Sequence, residues 1–66
     1  MKTIPRTRQL RYAVGITQKE LASYLGATRA HIADVESGRR KLRSYEITTL
    51  CHLFAVTTDQ LMGRTV

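Results

Sequence analysis

The sequence is short of cysteines, acids and long apolar runs, and each shortage removes a class of explanation. Cys51 is the only cysteine in 66 residues. A small chain buries a modest fraction of its surface, and here no disulfide framework compensates. Cys51, His52 and His31 fit none of the spacings that bind zinc, so no metal or other cofactor is expected. One isolated thiol suits a reducing compartment. No apolar run approaches the roughly 20 residues that span a bilayer. The opening MKTIPRTRQLRYAV is basic but lacks the apolar core of a signal peptide. The expectation is a cytoplasmic chain with no membrane partner. Low-complexity tracts, linkers and internal repeats are also missing, which leaves one domain over residues 1–66.

Acids are the most telling shortage. Five Asp and Glu face eleven Lys and Arg, a formal net charge of +6. Such an imbalance points to a polyanion, with nucleic acid ahead of an anionic surface. The cations are clustered as well. Arg39, Arg40, Lys41 and Arg43 form one group, and Lys2, Arg6, Arg8 and Arg11 another. Catalysis finds little support: Glu20, Asp34, Glu36, Glu46 and the two His make no nucleophile–base pair or carboxylate dyad, and there is no Gly-rich phosphate loop.

What is present is helical punctuation. Pro5 suits the first turn of a helix over about 4–14, with Leu10 and Val14 as its apolar face and Gly15 as its stop. "TQKE" is a capping box with Thr17 as N-cap. Leu21, Ala22 and Leu25 follow as a buried stripe, and Gly26 stands where a left-handed C-cap belongs. Thr28 opens a third helix, with Ile32 and Val35 facing inward and Gly38 at its end. Ser44 is the expected cap of a fourth, whose Ile47, Leu50, Cys51 and Phe54 share a face. Thr57 opens a last short turn. The second and third helices are joined too tightly to lie antiparallel, which predicts a helix-turn-helix over about 17–37.

The stretch GITQKELASYLGATRAHIADVESGRRK resembles the Cro and phage-repressor class of helix-turn-helix domains, the XRE family. The likeness rests on Gly15, Thr17-Gln18, Leu21-Ala22, Gly26, Ile32, Val35, Glu36 and Gly38 at fixed spacing. It extends upstream to Leu10-Arg11 and downstream to Leu50 through Leu61. It implies an all-α, compact five-helix lambda-repressor-like domain that lays its third helix in the major groove of double-stranded DNA.

That assigns roles. Arg29, Ala30, His31 and Asp34 become candidate base contacts. Arg29 suits guanine O6 and N7, Ala30 a thymine methyl, and His31 a base acceptor or phosphate, unless it is an idle surface residue. Asp34 could accept from a cytosine amine, or could pair with Arg29 or a neighbouring Arg. Gln18 and Thr28 are candidate phosphate contacts at helix N-termini, and Arg39, Arg40, Lys41 and Arg43 would run along the backbone. The resemblance further implies an inward ion pair between Arg11 and Glu36.

Family members usually bind as dimers. Leu53, Leu61, Met62 and Val66 are candidates for that interface, the alternative being that they complete the core. The expected function is a sequence-specific transcriptional regulator, a repressor binding a pseudo-palindromic operator. One alternative is an antitoxin that binds a protein toxin and represses its own operon; another is a nonspecific polyanion binder. Residues 38–63 also resemble regulators found beside metalloproteases, which implies a protease as an alternative protein partner. Three positions depart from the family pattern: Thr7 and Leu42, where an aliphatic and a Pro or polar residue are commoner, and Ala55, where Gly or Asn is.

Overall fold

The computed structural model describes residues 5–63. Five α-helices follow one another: α1 Thr7–Val14, α2 Gln18–Leu25, α3 Arg29–Glu36, α4 Ser44–Phe54 and α5 Thr58–Leu61. There is no strand among the described residues.

Local chemistry sets most of the boundaries. Thr17 Oγ1 accepts the Glu20 N–H, and Glu20 Oε1 accepts the Thr17 N–H, so the capping box of α2 is closed in both directions. Thr57 and Gln60 close the same box on α5. Thr28 Oγ1 caps α3 by accepting the His31 N–H. Between α2 and α3 the chain turns at Gly26, whose φ of 67° is left-handed. A residue without a Cβ takes that conformation at no steric cost. The turn is then sealed by the Ala27 N–H donating back to the Ala22 carbonyl at 2.9 Å.

Two boundaries differ from expectation. Helix α1 begins at Thr7, with Pro5 ahead of it and Arg6 as its cap residue. Ser44 is the first helical residue of α4, not its cap; the cap position is Arg43, and its N–H is satisfied by Glu46 Oε1 at 2.8 Å.

The core collects Leu21, Ala22 and Leu25 from α2, Ile32 from α3, Leu50 and Phe54 from α4, and Leu61 from α5. Val35 is fully buried too. Each fully buried Leu or Ile contributes about 1.5–3 kcal/mol. Leu42 roots the basic loop by packing against this core. The inward face of α1 is not the apolar one expected. Val14 and Tyr12 are exposed, Leu10 is half-buried, and the buried pair is Thr7 and Arg11, one turn apart. The reason is electrostatic: α1 faces the carboxylate of Glu36 at the end of α3. Leu61, proposed for a dimer interface, is instead wholly buried. Its carbonyl accepts the Arg6 N–H at 2.7 Å, which ties α5 back to the start of α1.

Candidate nucleic-acid interface

Helix α3 buries only Ile32, Val35 and Glu36. His31, Ala33 and Asp34 are partly buried, and the chemistry of the rest is set residue by residue. Arg29 and Ala30 open the helix and are exposed. Thr28, also exposed, spends its hydroxyl oxygen as the cap but keeps its O–H for an outside acceptor.

His31 is placed elsewhere than expected. Its side chain is only 12% exposed, and its Nε2 lies 2.8 Å from Glu46 Oε2 on α4. It is turned toward α4, where the buried Glu46 carboxylate needs a donor. Asp34 stays near the surface, but its partners are the loop cations and not Arg29: Arg40 Nε lies 3.3 Å and Arg39 Nη1 3.8 Å from its carboxylate. The Asp34 carbonyl also accepts the backbone N–H groups of Arg39 and Arg40. One residue thus turns the chain out of α3 and draws two arginines beside it.

Glu36 is the anchor at the other end of the helix. Arg11 donates to it through Nε at 2.8 Å and Nη2 at 3.1 Å, Gln18 Nε2 donates at 3.0 Å and Arg8 Nε at 3.4 Å. The remaining Arg11 nitrogen, Nη1, donates to the Ile16 carbonyl, and its guanidinium lies 4.7 Å from the Tyr12 ring centroid. Burial pushes the Glu36 carboxyl up, but the hydrogen bonds from Arg11 and Gln18 and the Arg11 charge outweigh it and hold the group below the usual carboxylate value. Its hydrogen bond to Glu36 raises Arg11 in turn, against the opposing effect of burial. Gln18, expected on a phosphate, spends one carboxamide N–H on this network.

Beside that network lies an open cleft lined by Arg8, Tyr12, Thr17, Gln18, Lys19 and Arg29, among others. It sits at the N-terminus of α2, where the first-turn N–H groups of Gln18 and Lys19 precede the helix's own ladder. Cations, amides and a phenol around a helix N-terminus form a site suited to phosphate. Tyr12 and Lys19, which line this cleft, were not singled out as site candidates from the sequence; for Tyr12 the one-turn spacing from Arg8 was the available signal. Arg39, Arg40, Lys41 and Arg43 are all exposed, and Arg40 and Arg43 line a second depression with His31. The first turn of α3 therefore borders cations in both depressions, through Arg29 in one and His31 in the other.

Of the proposed dimer residues, Leu53 and Met62 are partly exposed and Val66 lies outside the described residues. No group of three or more His, Cys, Asp or Glu among the described residues could hold a metal ion. No described helix is long and apolar enough to cross a membrane.

Comparisons with known proteins agree with this geometry. The helix-turn-helix family model matches residues 8–61. The restriction-modification controller protein C.AhdI from Aeromonas hydrophila is 32% identical, with 85% of each chain covered and a TM-score of 0.73. A hypothetical transcription factor, NHTF, from Neisseria is 28% identical with a TM-score of 0.73; the match covers 86% of this chain and 66% of that one. A search of curated proteins finds no match. The chain belongs to the XRE-type helix-turn-helix family of DNA-binding transcriptional regulators.

Proposed function

We propose that this regulator is a repressor that reads a pseudo-palindromic operator as a dimer, with α3 in the major groove. The observation that carries the reading is the opening turn of α3: Arg29 and Ala30 are exposed, Arg29 shares a cleft with Arg8 and Lys19, and His31 shares another with Arg40 and Arg43. Arg29 would take a guanine edge and Ala30 a thymine methyl. Arg8, Lys19 and Thr28 would hold phosphates on one side, and Arg39, Arg40, Lys41 and Arg43 on the other. Asp34, already beside two arginines, is an orienting partner for the loop and not a cytosine reader.

The two subunits would sit on half-sites about one turn, ~34 Å, apart. Leu53 and Met62, left partly exposed, suit the contact between them. The likeness to a restriction-modification controller and to a transcription factor supports a regulator acting through DNA.

Selection of bound duplexes from a random pool is the test. An enriched inverted repeat is the expected result, and failure to enrich any motif would sink the reading. With a site in hand, Arg29→Ala should relax one base position per half-site. Lys41→Ala should weaken all duplexes alike and lower the salt slope by about one.

A further inference from the structure

Glu46 is a buried carboxylate with two separate attachments. Its side chain is 1% exposed. Oε1 accepts the Arg43 N–H at 2.8 Å, which fixes the point where the basic loop enters α4. Oε2 lies 2.8 Å from His31 Nε2. His31 belongs to the first turn of α3, two residues after Arg29. One carboxylate therefore sets the distance between the turn placed to read bases and the loop placed to grip the backbone. The bond holds with either charge state of the imidazole, because Nε2–H donates in the cation and in one neutral tautomer.

The tie is well placed to matter for recognition. Backbone contacts set the register of a protein on the duplex, and base contacts read sequence only within that register. At its far end α3 is pinned to α1 and α2 through Glu36. At its reading end, His31 is the side chain that reaches another helix through a polar contact. We propose that His31 and Glu46 are a positioning pair that fixes the pose of the reading turn relative to the basic loop, so that they govern discrimination between DNA sequences without touching DNA. The proposal rests on the sequence-specific reading above.

The experiment runs the same random-duplex selection on the full chain and on His31→Ala, His31→Gln, His31→Asn and Glu46→Ala, at a temperature where circular dichroism shows each folded. Binding of the enriched duplex and of a scrambled one is then measured for each. Gln can carry an N–H to where Nε2 stands; Asn is one carbon too short. His31→Ala and Glu46→Ala should cut the ratio of specific to nonspecific affinity by about tenfold, the scale of one misplaced bidentate base contact. Nonspecific affinity should change by less than about twofold, because the exposed loop cations that supply it remain. His31→Gln should keep most of the ratio and His31→Asn should lose it. The Gln and Asn pair decides the matter if the Ala variants do not fold. Variants that fold, bind with the wild-type ratio and enrich the wild-type motif would overturn the proposal, whatever their melting temperatures. A wild-type chain that enriches nothing overturns the sequence-specific reading first, before any variant is compared.

Discussion

Helix α3 is held from two sides by buried carboxylates, and the two sides are built differently. Toward α1 and α2, Glu36 receives Arg11 through two nitrogens, Arg8 through one, and the Gln18 carboxamide. Toward α4, Glu46 receives one imidazole nitrogen and one backbone N–H. Glu36 is an ion whose charge is answered by charge. Glu46 is answered by one imidazole and one backbone N–H, which join α3 to the start of α4. The first side has the larger stake in stability, and the second in geometry. Both sides matter because α3 buries only two large apolar side chains, Ile32 and Val35, and has little apolar contact of its own to hold it.

The largest effect should come from breaking the first side. Arg11 and Glu36 side chains are 7% and 0% exposed. Removing one partner of a buried pair costs about 3–5 kcal/mol, whereas replacing both by apolar residues of similar volume costs far less. Arg11→Met or Glu36→Leu alone should therefore lower the melting temperature by more than about 10 °C, and the double variant should recover most of the loss. A double variant as unstable as the singles would show that the pair is not the source.

Acid should expose the same asymmetry. The folded state holds the Glu36 carboxyl below its ordinary value, so it binds its proton less readily than in the unfolded chain, where the value is about 4.3. The stabilisation is present in full above that value and is lost as pH falls through the lower, folded one. Thermal melting from pH 6 down to 2 should show this decline, and Arg11→Met should flatten it. An unchanged acid limb in Arg11→Met would place the proton uptake elsewhere.

The second side should yield less. Glu46→Ala leaves His31 and the Arg43 N–H without their acceptor, a loss of about 1–3 kcal/mol. Because both variants break one contact, His31→Ala and Glu46→Ala should be less than additive in urea unfolding. Strict additivity would mean that the bond contributes nothing. One flaw also sits on the better-compensated side. Thr7 is buried, and its Oγ1 has no hydrogen-bond partner among the described residues. Thr7→Val keeps the shape and removes the stranded hydroxyl, so a gain of about 1 kcal/mol is expected in the same assay.

Much of this was legible in the sequence, and the exceptions share a cause. Capping boxes at Thr17 and Thr57, the Thr28 cap and the stop at Gly26 are local signals, and local chemistry decided them. The boundary of α1 was misread because the Arg6 N–H is drawn to the Leu61 carbonyl across the fold, and that of α4 because Glu46 takes the Arg43 N–H and moves the cap one residue upstream of Ser44. The His31–Glu46 tie was missed although its spacing was visible. His31 lies one turn before Val35, and Glu46 falls in line with Leu50 and Phe54 on the buried stripe of α4. Residue type hid what position showed, since polar side chains on a core line are read as surface unless a partner is known. Leu61 was misjudged for the opposite reason: a helix of four residues has too little pattern to say which side packs.

The smallest effect lies at the end of α4. Helices α1 and α2 both finish on a left-handed glycine, whereas α4 finishes on Ala55, with φ 55° and ψ 46°. Ala55 is the positive-φ residue other than glycine among the described residues. A Cβ in that conformation costs roughly 1–2 kcal/mol. The helix still ends there because the Ala55 N–H donates to the His52 carbonyl and the Val56 N–H to that of Cys51, and because Phe54 and Val56 pack inward on either side. Ala55→Gly removes the strain but adds about 0.4–1 kcal/mol of entropy to the unfolded chain. The net gain should be near 0.5 kcal/mol, read as a small rise in the urea midpoint with an unchanged slope. A loss of stability would mean that Ala55 contributes packing that outweighs its strain. The comparison would then shift, since the α4 side would owe its hold to apolar contact as well as to Glu46.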